Sequence, residues 1–423
     1  MDQSGSRPAS TGVETYLPRL VDQPLSELFG QLPALLITGP RATGKTTTGR
    51  KHATTVIRLD RPAEAAAFRA DPDAALRAQP EPVLLDEWQA VPEVLGAVKR
   101  AVDDNPRPTR FLLTGSVRAD LDQEMWPGTG RLVRLRMYGI SQRELAGQPT
   151  GPLFLDRLAS ADIRQFHLPP VVPDLPDYVD SALRSGFPEA LLRLSGAARQ
   201  AWLDGYLEQL LTRDAQSLTP IRNPARLRRY FEAVALNTAG LVEHKTLYAA
   251  AGIDRHTAEA YDQLLMNLFV LELLPAWTTN RLSRLIKTPK RYLVDPALIS
   301  AALRIDGAAI LRDSNLLGRI LDTFVMAQIR PEVEFSTLRP RLYHLRDMGG
   351  RREIDVVGEV GNGVVGVEIK ATAAPNSGDG VHITYLRDQL GERFLAGAVL
   401  HTGPASFALS DRVYALPICS LWG

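Results

Sequence analysis

Eight consecutive residues near the N-terminus have the types and spacing needed to hold phosphate. The pattern G-x-x-x-x-G-K-[ST] is met at every position by Gly39, Pro40, Arg41, Ala42, Thr43, Gly44, Lys45 and Thr46, with Thr47 next in the chain. The glycines let the backbone wrap closely around phosphate, and the loop N–H groups supply positive potential. Lys45 can reach the β- and γ-phosphates, while Thr46 can ligate Mg²⁺. We therefore predict that residues 39–47 bind ATP with Mg²⁺.

A pair of carboxylates follows an apolar run at residues 83–85, where the sequence is Val-Leu-Leu-Asp-Glu. At the end of a strand, Asp86 and Glu87 would face the phosphates. Asp86 would hold Mg²⁺ through water, and Glu87 would polarise the attacking water, because phosphoryl transfer needs mainly positioning and charge stabilisation. Together with the complete phosphate loop, this pair favours hydrolysis over binding alone.

Two further groups could act on the γ-phosphate. The run Phe111-Leu112-Leu113 ends in Thr114-Gly115-Ser116, which offers a hydroxyl for sensing hydrolysis; Ser116 is our catalytic candidate, although the sequence does not separate it from Thr114. Downstream, Arg131 could stabilise transition-state charge at a neighbouring chain's nucleotide. An ordinary solvated surface arginine remains an equal alternative for Arg131.

The elements that must position these groups alternate short apolar runs with amphipathic stretches. Runs at residues 35–38, 56–60, 83–86 and 111–114 are each bounded by turn residues, as buried strands of a parallel sheet should be. We therefore predict an α/β domain with a parallel sheet over residues 16–168.

Composition limits the remaining possibilities. A chain of 423 residues with 45% hydrophobic residues has room for two to four domains with cores of their own. The net charge of +1 argues against a uniformly basic coat for nucleic acid but permits local basic faces. The single cysteine, Cys419, excludes an intramolecular disulfide and a cysteine-based zinc site, which suits a cytoplasmic protein. We expect no membrane segment, and a disordered polar tail over residues 1–15.

A proline-rich stretch at residues 169–176 predicts a linker, followed by a helical domain over residues 177–310. Within it, residues 245–268 have a helix, turn, helix pattern, and the strand-like residues 291–295 after them suggest a winged helix. Such a fold would present Arg255, His256 and Glu259 to the major groove. Basic residues that could meet phosphates are Arg281, Arg284, Lys287, Lys290 and Arg291. A packing or protein-contact role for this domain is an equal alternative.

The last portion, residues 311–423, is predicted to be a second α/β unit. Asp355 on one strand and Glu368-Ile369-Lys370 on the next fit the pattern of the PD-(D/E)XK nuclease fold, and Asp322 lies on the helix before them. Two carboxylates can hold a divalent ion while Lys370 orients or deprotonates the attacking water. The alternative is an inactive fold that is retained for binding nucleic acid or for packing.

Taken together, the chain resembles the AAA+ superfamily, in particular the bacterial and archaeal ATPases that carry a nuclease-like domain behind the ATPase core. The resemblance implies Walker A roles for Lys45 and Thr46 and Walker B roles for Asp86 and Glu87. Related proteins commonly have glutamate at the position of Asp322, so this chain departs there by one methylene. The residues that carry the resemblance are 38–46, 84–88, 111–116, 130–144, 185–189, 213–214 and 287–295.

Two functional hypotheses follow. The first is an ATPase that remodels or moves on DNA, with a C-terminal nuclease activity as a further option. The second is a regulatory switch, in which ATP orders an interaction module and turnover is slow or absent. Glu87 favours the first, and the near-zero net charge favours the second. A protein partner and self-association both remain open.

Overall fold

The computed structural model describes residues 16–117, 130–218, 223–278, 287–346 and 352–423. The predicted tail at residues 1–15 therefore lies outside the described residues.

A five-stranded parallel sheet forms the N-terminal part, in the order β2-β3-β4-β1-β5. Its strands are β1 (Ala34–Thr38), β2 (Thr55–Arg58), β3 (Val83–Asp86), β4 (Phe111–Gly115) and β5 (Val133–Arg136). The first four lie on the predicted apolar runs, which confirms the parallel α/β sheet. The edge strand β5 was not predicted, since alternating arginines interrupt its apolar pattern.

Helices cover both faces of this sheet. They are α1 (Asp22–Phe29), α2 (Lys45–Arg50), α3 (Pro62–Ala70), α4 (Pro72–Arg77) and α5 (Val94–Asp104), with a 3₁₀ turn at Trp88–Ala90. Leu36 of β1 belongs to the cluster that includes α5, whereas its neighbours Leu35 and Ile37 belong to the cluster that includes α1. Because alternate strand residues point to opposite faces, both faces of the sheet are buried and the strands must be apolar throughout.

Helices dominate the middle of the chain. They are α6 (Gln142–Leu145), α7 (Phe154–Ala159), α8 (Leu175–Leu183), α9 (Pro188–Leu192), α10 (Gly196–Gln209), α11 (Ala215–Leu218), α12 (Pro224–Leu236), α13 (His244–Ala251), α14 (Arg255–Asn267), α15 (Ala297–Leu303) and α16 (Gly307–Arg312). A π-helical turn at Leu210–Asp214 joins α10 to α11, and a 3₁₀ turn covers Ile163–Gln165. Strands β6 (Leu271–Leu274) and β7 (Lys290–Leu293) pair antiparallel.

The predicted helix, turn, helix pattern corresponds to α13 and α14. Gly252, at φ +65°, ends α13, and the Asp254 side chain accepts a hydrogen bond from the Thr257 N–H to cap α14. Arg255 and His256 are exposed at the start of α14, as expected. The assignment of a winged helix stays a prediction.

Two of the basic residues predicted to meet phosphates are buried, so that prediction is wrong for them. Lys290 is 1% exposed and pairs with carboxylates of the C-terminal part, while the Arg291 guanidinium pairs with Asp262 at 2.7 Å. Burial of a lysine or arginine requires an ion-pair partner, which a sequence pattern does not reveal. Arg281 and Arg284 lie outside the described residues.

The C-terminal part is a six-stranded mixed sheet in the order β12-β13-β11-β10-β9-β8. Its elements are α17 (Ser314–Val333), β8 (Arg341–Arg346), β9 (Glu353–Val360), β10 (Gly363–Ile369), α18 (Val381–Leu390), β11 (Phe394–His401), β12 (Phe407–Ser410) and β13 (Val413–Pro417), with 3₁₀ turns at Gly391–Arg393 and Ile418–Leu421. Strand β10 runs antiparallel to β9 and parallel to β11. The predicted strands at residues 341–370 are thus present, and the nuclease-like assignment stays a prediction.

Side chains from Phe154 to Trp422 share one hydrophobic core. Helix α7 packs against β10 and β11, although it precedes the predicted linker at residues 169–176. The Arg157 guanidinium donates to the backbone carbonyls of Gly423 at 2.9 Å and Ser420 at 2.8 Å. The middle and C-terminal parts are therefore packed as one body, and the predicted domain boundaries stay predictions. In the described part of the chain, no helix combines the length and the apolarity that crossing a bilayer requires.

The N-terminal part contacts this body where the backbones of Gly139 and Gly186 lie against each other. The Ile140 N–H donates to the Gly186 carbonyl at 2.6 Å, and a Cβ atom added to Gly186 would lie 2.9 Å from the Ile140 carbonyl oxygen. A backbone atom cannot move aside as a flexible side chain can. Only glycine therefore fits at position 186.

We expect Gly186→Ala to lower the free energy of unfolding by about 1–3 kcal/mol, because the added methyl overpacks a backbone contact. Gly318→Ala is the matched control: this residue is exposed within α17, nothing lies within 4 Å of its added Cβ, and the same substitution should stabilise. Thermal unfolding of the two variants beside wild type measures both effects. A Gly186→Ala melting temperature equal to that of wild type would contradict the packing argument.

Candidate nucleotide-binding site

The phosphate loop connects β1 to α2 through backbone conformations that favour glycine. Gly39 has φ +147°, and a Cβ atom there would lie 2.0 Å from the Met137 carbonyl oxygen. Gly44 has φ +96° and precedes α2 directly. These positions explain why the motif fixes glycine at both places, since any side chain at Gly39 would collide with the strand β5 segment.

Lys45 is folded back onto its own loop. Its Nζ donates to the carbonyl oxygens of Gly39 at 3.0 Å and Pro40 at 2.6 Å, and the residue is 4% exposed. Burial lowers the pKa of Lys45 to about 8, while the charges of Glu87 and Asp86 act in the opposite direction. The ammonium is thus held inside the loop, next to the space that a phosphate group would enter.

Thr46 and Asp86, both predicted to hold Mg²⁺, lie side by side. The Thr46 Oγ1 donates to Asp86 Oδ1 at 2.7 Å, and the Thr114 hydroxyl donates to the same oxygen. The other oxygen, Asp86 Oδ2, is buried without a hydrogen-bond partner among the described residues, and it lies 3.8 Å from Arg58 Nε. A hydroxyl and an unsatisfied carboxylate oxygen side by side form the oxygen donor set that Mg²⁺ prefers, so these residues fit the ion.

Glu87 has a left-handed backbone conformation, with φ +57° and ψ +53°. Such a conformation is uncommon for a residue with a side chain and recurs at functional sites. Ser116 Oγ donates to the Glu87 carboxylate at 2.9 Å, and the Gln89 side-chain amide donates to the same oxygen. Thr114 also accepts a hydrogen bond from the Glu87 N–H at 3.2 Å. Both hydroxyls thus contact the carboxylate pair, Thr114 at Asp86 and Ser116 at Glu87.

The opposite wall of the site is formed by α10 and the π-helical turn. A cleft of about 900 Å³ separates this wall from the phosphate loop, with Trp202, Tyr206, Arg213 and Asp214 on the helical side. The Trp202 and Tyr206 rings are stacked with centroids 5.4 Å apart. Arg41 of the loop pairs with Asp214 at 3.1 Å, and burial raises the pKa of Asp214. One ion pair therefore bridges the cleft.

Arg131 lies far from this arrangement within the chain. It precedes β5, whose first residue, Val133, is close to Leu35, whereas the phosphate loop leaves the other end of β1. Its guanidinium pairs with Asp103 at 2.6 Å. Arg131 therefore does not contribute to the site of its own chain, and a role at a neighbour's site stays a prediction.

Sequence reasoning gave no role in this site to several of its residues, among them Arg58, Arg19 and Asp214. Arg58 sits beside Asp86 because β2 and β3 are in parallel register, and its place at the end of a strand run could have indicated it. Arg19 donates to the Thr43 and Tyr138 carbonyls, both at 2.9 Å, and thereby fixes the loop against the end of β5. Asp214 belongs to a stretch that carries the family resemblance, but its contact with the loop arises from tertiary packing, so no sequence pattern indicated its partner Arg41.

The carboxylates predicted to bind metal in the C-terminal part also converge, but around a lysine. Lys290 Nζ lies 2.8 Å from Asp355 Oδ1, 3.1 Å from Glu353 and 3.8 Å from Asp322 Oδ2. Burial raises the pKa of Asp322; it would also raise that of Asp355, but the Lys290 ammonium lowers it below its usual value. Neither Glu353 nor Lys290 was assigned to this cluster from the sequence.

Glu368 and Lys370 form a pair of their own, with Lys370 Nζ 2.8 Å from Glu368 Oε1. Within the described ranges, no three His, Cys, Asp or Glu side chains are arranged to hold a metal ion. The predicted residues are thus neighbours, but their arrangement is that of ion pairs.

Models of three protein families match successive parts of the chain. Residues 31–146 match an AAA domain, residues 175–309 match a domain of unknown function designated DUF8612, and residues 317–421 match another, designated DUF4143. The AAA match spans the sheet, the phosphate loop and the carboxylate pair.

Related proteins give no functional name. Uncharacterized proteins of Mycobacterium tuberculosis and Mycobacterium bovis are each 28% identical over 403 residues, covering 93% of this chain and 82% of theirs. A Walker-type ATPase of Pyrococcus abyssi overlaps 71% of this chain and 99% of its own, at 16% identity and a TM-score of 0.43. A Vibrio cholerae protein of known structure overlaps 92% of this chain and 95% of its own, at 12% identity and a TM-score of 0.19. Both TM-scores are below 0.5, so neither likeness bears on function.

The phosphate loop, the carboxylate pair at the end of β3 and the family match coincide on the same stretch of chain. Residues 31–146 are an AAA-like ATP-binding domain.

Proposed function

We propose that the chain hydrolyses ATP to ADP and phosphate with Mg²⁺. The observation that carries this proposal is the Thr46–Asp86 contact at 2.7 Å beside Glu87, because binding alone would not need a second carboxylate. Thr46 and Asp86 would hold Mg²⁺, which neutralises charge on the β- and γ-phosphates when bound. ATP would enter the cleft between the loop and α10.

The protein side chains then have distinct roles. Lys45 would exchange its two loop carbonyls for phosphate oxygens, which accept from an ammonium more strongly because they are charged. Glu87 would orient the attacking water, taking its proton as the bond to phosphorus forms. Ser116 and Gln89, which donate hydrogen bonds to the Glu87 carboxylate, would orient it toward the attacking water. Arg131 remains a candidate to act on the nucleotide of a second chain.

ATP hydrolysis could serve either action on DNA or a nucleotide-dependent switch. Action on DNA would need a basic face, and the burial of Lys290 and Arg291 removes two of its five predicted members. A nucleotide-dependent switch is favoured by the Arg41–Asp214 bridge, which links the phosphate loop to the helical wall. It is also favoured by a buried cluster in which Glu272 of β6 pairs with Arg136 of β5 and Arg330 of α17.

Substitutions of Lys45 and Glu87 separate ATP binding from ATP hydrolysis. Lys45→Ala should lose ATP binding, whereas Glu87→Gln should bind ATP and slow hydrolysis by about 10²–10⁴-fold, since only proton abstraction is lost. Steady-state phosphate release and fluorescent nucleotide binding, each with and without duplex DNA, measure these effects. Wild type that releases phosphate no faster than Lys45→Ala under every condition would rule out the ATPase; a stimulation by DNA would favour action on DNA over the switch.

A pH dependence follows from Lys45. The ammonium form binds phosphate, and this form is lost as the pH rises through about 8 in the nucleotide-free chain. ATP affinity should therefore weaken about tenfold between pH 7 and pH 9, as one proton must be taken up on binding. Lys45→Arg, which stays protonated, is the control and should show no such loss. An unchanged wild-type dissociation constant across this range would refute the burial argument.

If the protein is a nucleotide-dependent switch, the Arg41–Asp214 ion pair should transmit ATP binding to the helical wall of the cleft. ATP with Mg²⁺ should slow amide hydrogen exchange over residues 196–218 in the wild type, because closing the cleft orders the helical wall. Asp214→Asn should lose this protection, since it removes the partner of Arg41. Asp204→Asn, an exposed position in α10, the helix directly before the π-helical turn, is the matched control and should keep it. Equal protection in both variants would exclude the bridge as the connection.

A further inference from the structure

The carboxylate cluster of the C-terminal part already contains a cation, supplied by another part of the same chain. Lys290 of β7 inserts an ammonium group that lies 2.8 Å from Asp355 Oδ1 and 3.1 Å from Glu353 Oε1. Asp322 Oδ2 is 3.8 Å away, and the lysine is 1% exposed. Three carboxylates from α17 and β9 thus surround one positive charge.

The remaining oxygens of Asp355 and Asp322 are also occupied. Asp355 Oδ2 accepts the Ile369 N–H at 2.9 Å, and Asp322 Oδ1 accepts the Tyr292 hydroxyl at 2.9 Å. Lys290 and Tyr292 are two positions apart on β7 and so lie on the same face of the strand. One face of this strand therefore satisfies both carboxylates.

A divalent ion would need these same oxygens. Mg²⁺ and Ca²⁺ bind several oxygen ligands at about 2.0–2.6 Å, and a buried ammonium within hydrogen-bonding distance of Asp355 leaves no room for a second cation there. Glu368, another predicted ligand, pairs with Lys370 through Oε1 at 2.8 Å, and its Oε2 is buried without a hydrogen-bond partner among the described residues. One unpaired carboxylate oxygen is fewer than a divalent ion needs, and no three His, Cys, Asp or Glu side chains of the described residues are arranged to hold one, so the residues present do not fit a divalent metal in this arrangement.

We propose that Lys290 is the resident cation of this cluster and takes the place of the divalent metal that the sequence pattern predicts. The cluster then serves to anchor β7 of the middle part to α17 and β9, and the C-terminal part does not cut phosphodiesters by a metal-dependent route. Buried charges must be paired, so removing the ammonium leaves carboxylates that need another cation. This proposal is independent of ATP hydrolysis.

Mn²⁺ binding to the nucleotide-free full-length chain tests it, measured by loss of the electron paramagnetic resonance signal of free Mn²⁺. We expect no difference in uptake between the wild type and Asp355→Asn. Lys290→Ala should gain one Mn²⁺ site per chain, and adding Asp355→Asn to it should abolish that site. Arg291→Ala, which also removes a buried cation but one paired with Asp262, should gain none.

Two results would overturn the proposal. One is uptake of Mn²⁺ by the wild type that Asp355→Asn removes, because the cluster would then bind metal with the lysine in place. The other is a folded Lys290→Ala, judged by circular dichroism, that takes up no more Mn²⁺ than the wild type. If Lys290→Ala does not fold, the comparison of wild type with Asp355→Asn still decides, since it needs no change at position 290.

Discussion

The short strand β7 and the residues after it connect all three parts of the chain. Lys290 and Tyr292 reach carboxylates of the C-terminal part, and Arg291, on the other face, pairs with α14 of the middle part. Asp295 accepts hydrogen bonds from Ser185 Oγ and the Gly186 N–H, both at 2.7 Å. Gly186 in turn accepts a hydrogen bond from the Ile140 N–H, at the end of the N-terminal, ATP-binding part. Four buried charged or polar side chains thus lie within residues 290–295, and burying each one costs free energy unless it is paired. Because their partners belong to different parts of the chain, each part must be in place for all four to be paired.

A second set of buried charges connects the sheet of the ATP-binding part to this body. Glu272 lies between Arg136 of β5 and Arg330 of α17, and burial lowers the pKa of Arg330 to about 9. Arg136 is beside Thr38, the residue directly before the phosphate loop. A displacement of the phosphate loop would therefore also displace Arg136. Such a shift would leave a buried charge of the Arg136–Glu272–Arg330 cluster unpaired. Together with the Arg41–Asp214 bridge, this cluster connects the nucleotide site physically to the rest of the molecule.

The sequence was sufficient wherever the position of a residue in the fold follows from local spacing. Strands β1 to β4 follow apolar runs ending in turn residues, and the Lys45, Thr46, Asp86 and Glu87 positions follow from motifs on those strands. It was insufficient where distant elements meet. Asp214 reaches the phosphate loop through tertiary packing, and the charge pattern around Lys290 was interpreted as an exposed basic face although the side chain is buried. Burial depends on what packs against a residue, and an ammonium among carboxylates looks the same in a sequence as one in solvent.

The central claim is that one site binds ATP with Mg²⁺ and positions Glu87 for hydrolysis. A crystal structure of the Glu87→Gln chain with ATP and Mg²⁺ tests this most directly, because slow turnover would keep the substrate intact. We predict the triphosphate within residues 39–47, Lys45 Nζ moved from its loop carbonyls to phosphate oxygens, and Mg²⁺ beside Thr46 and Asp86. ATP bound elsewhere, or a lysine still bonded to Gly39 and Pro40 with nucleotide in the cleft, would contradict the account.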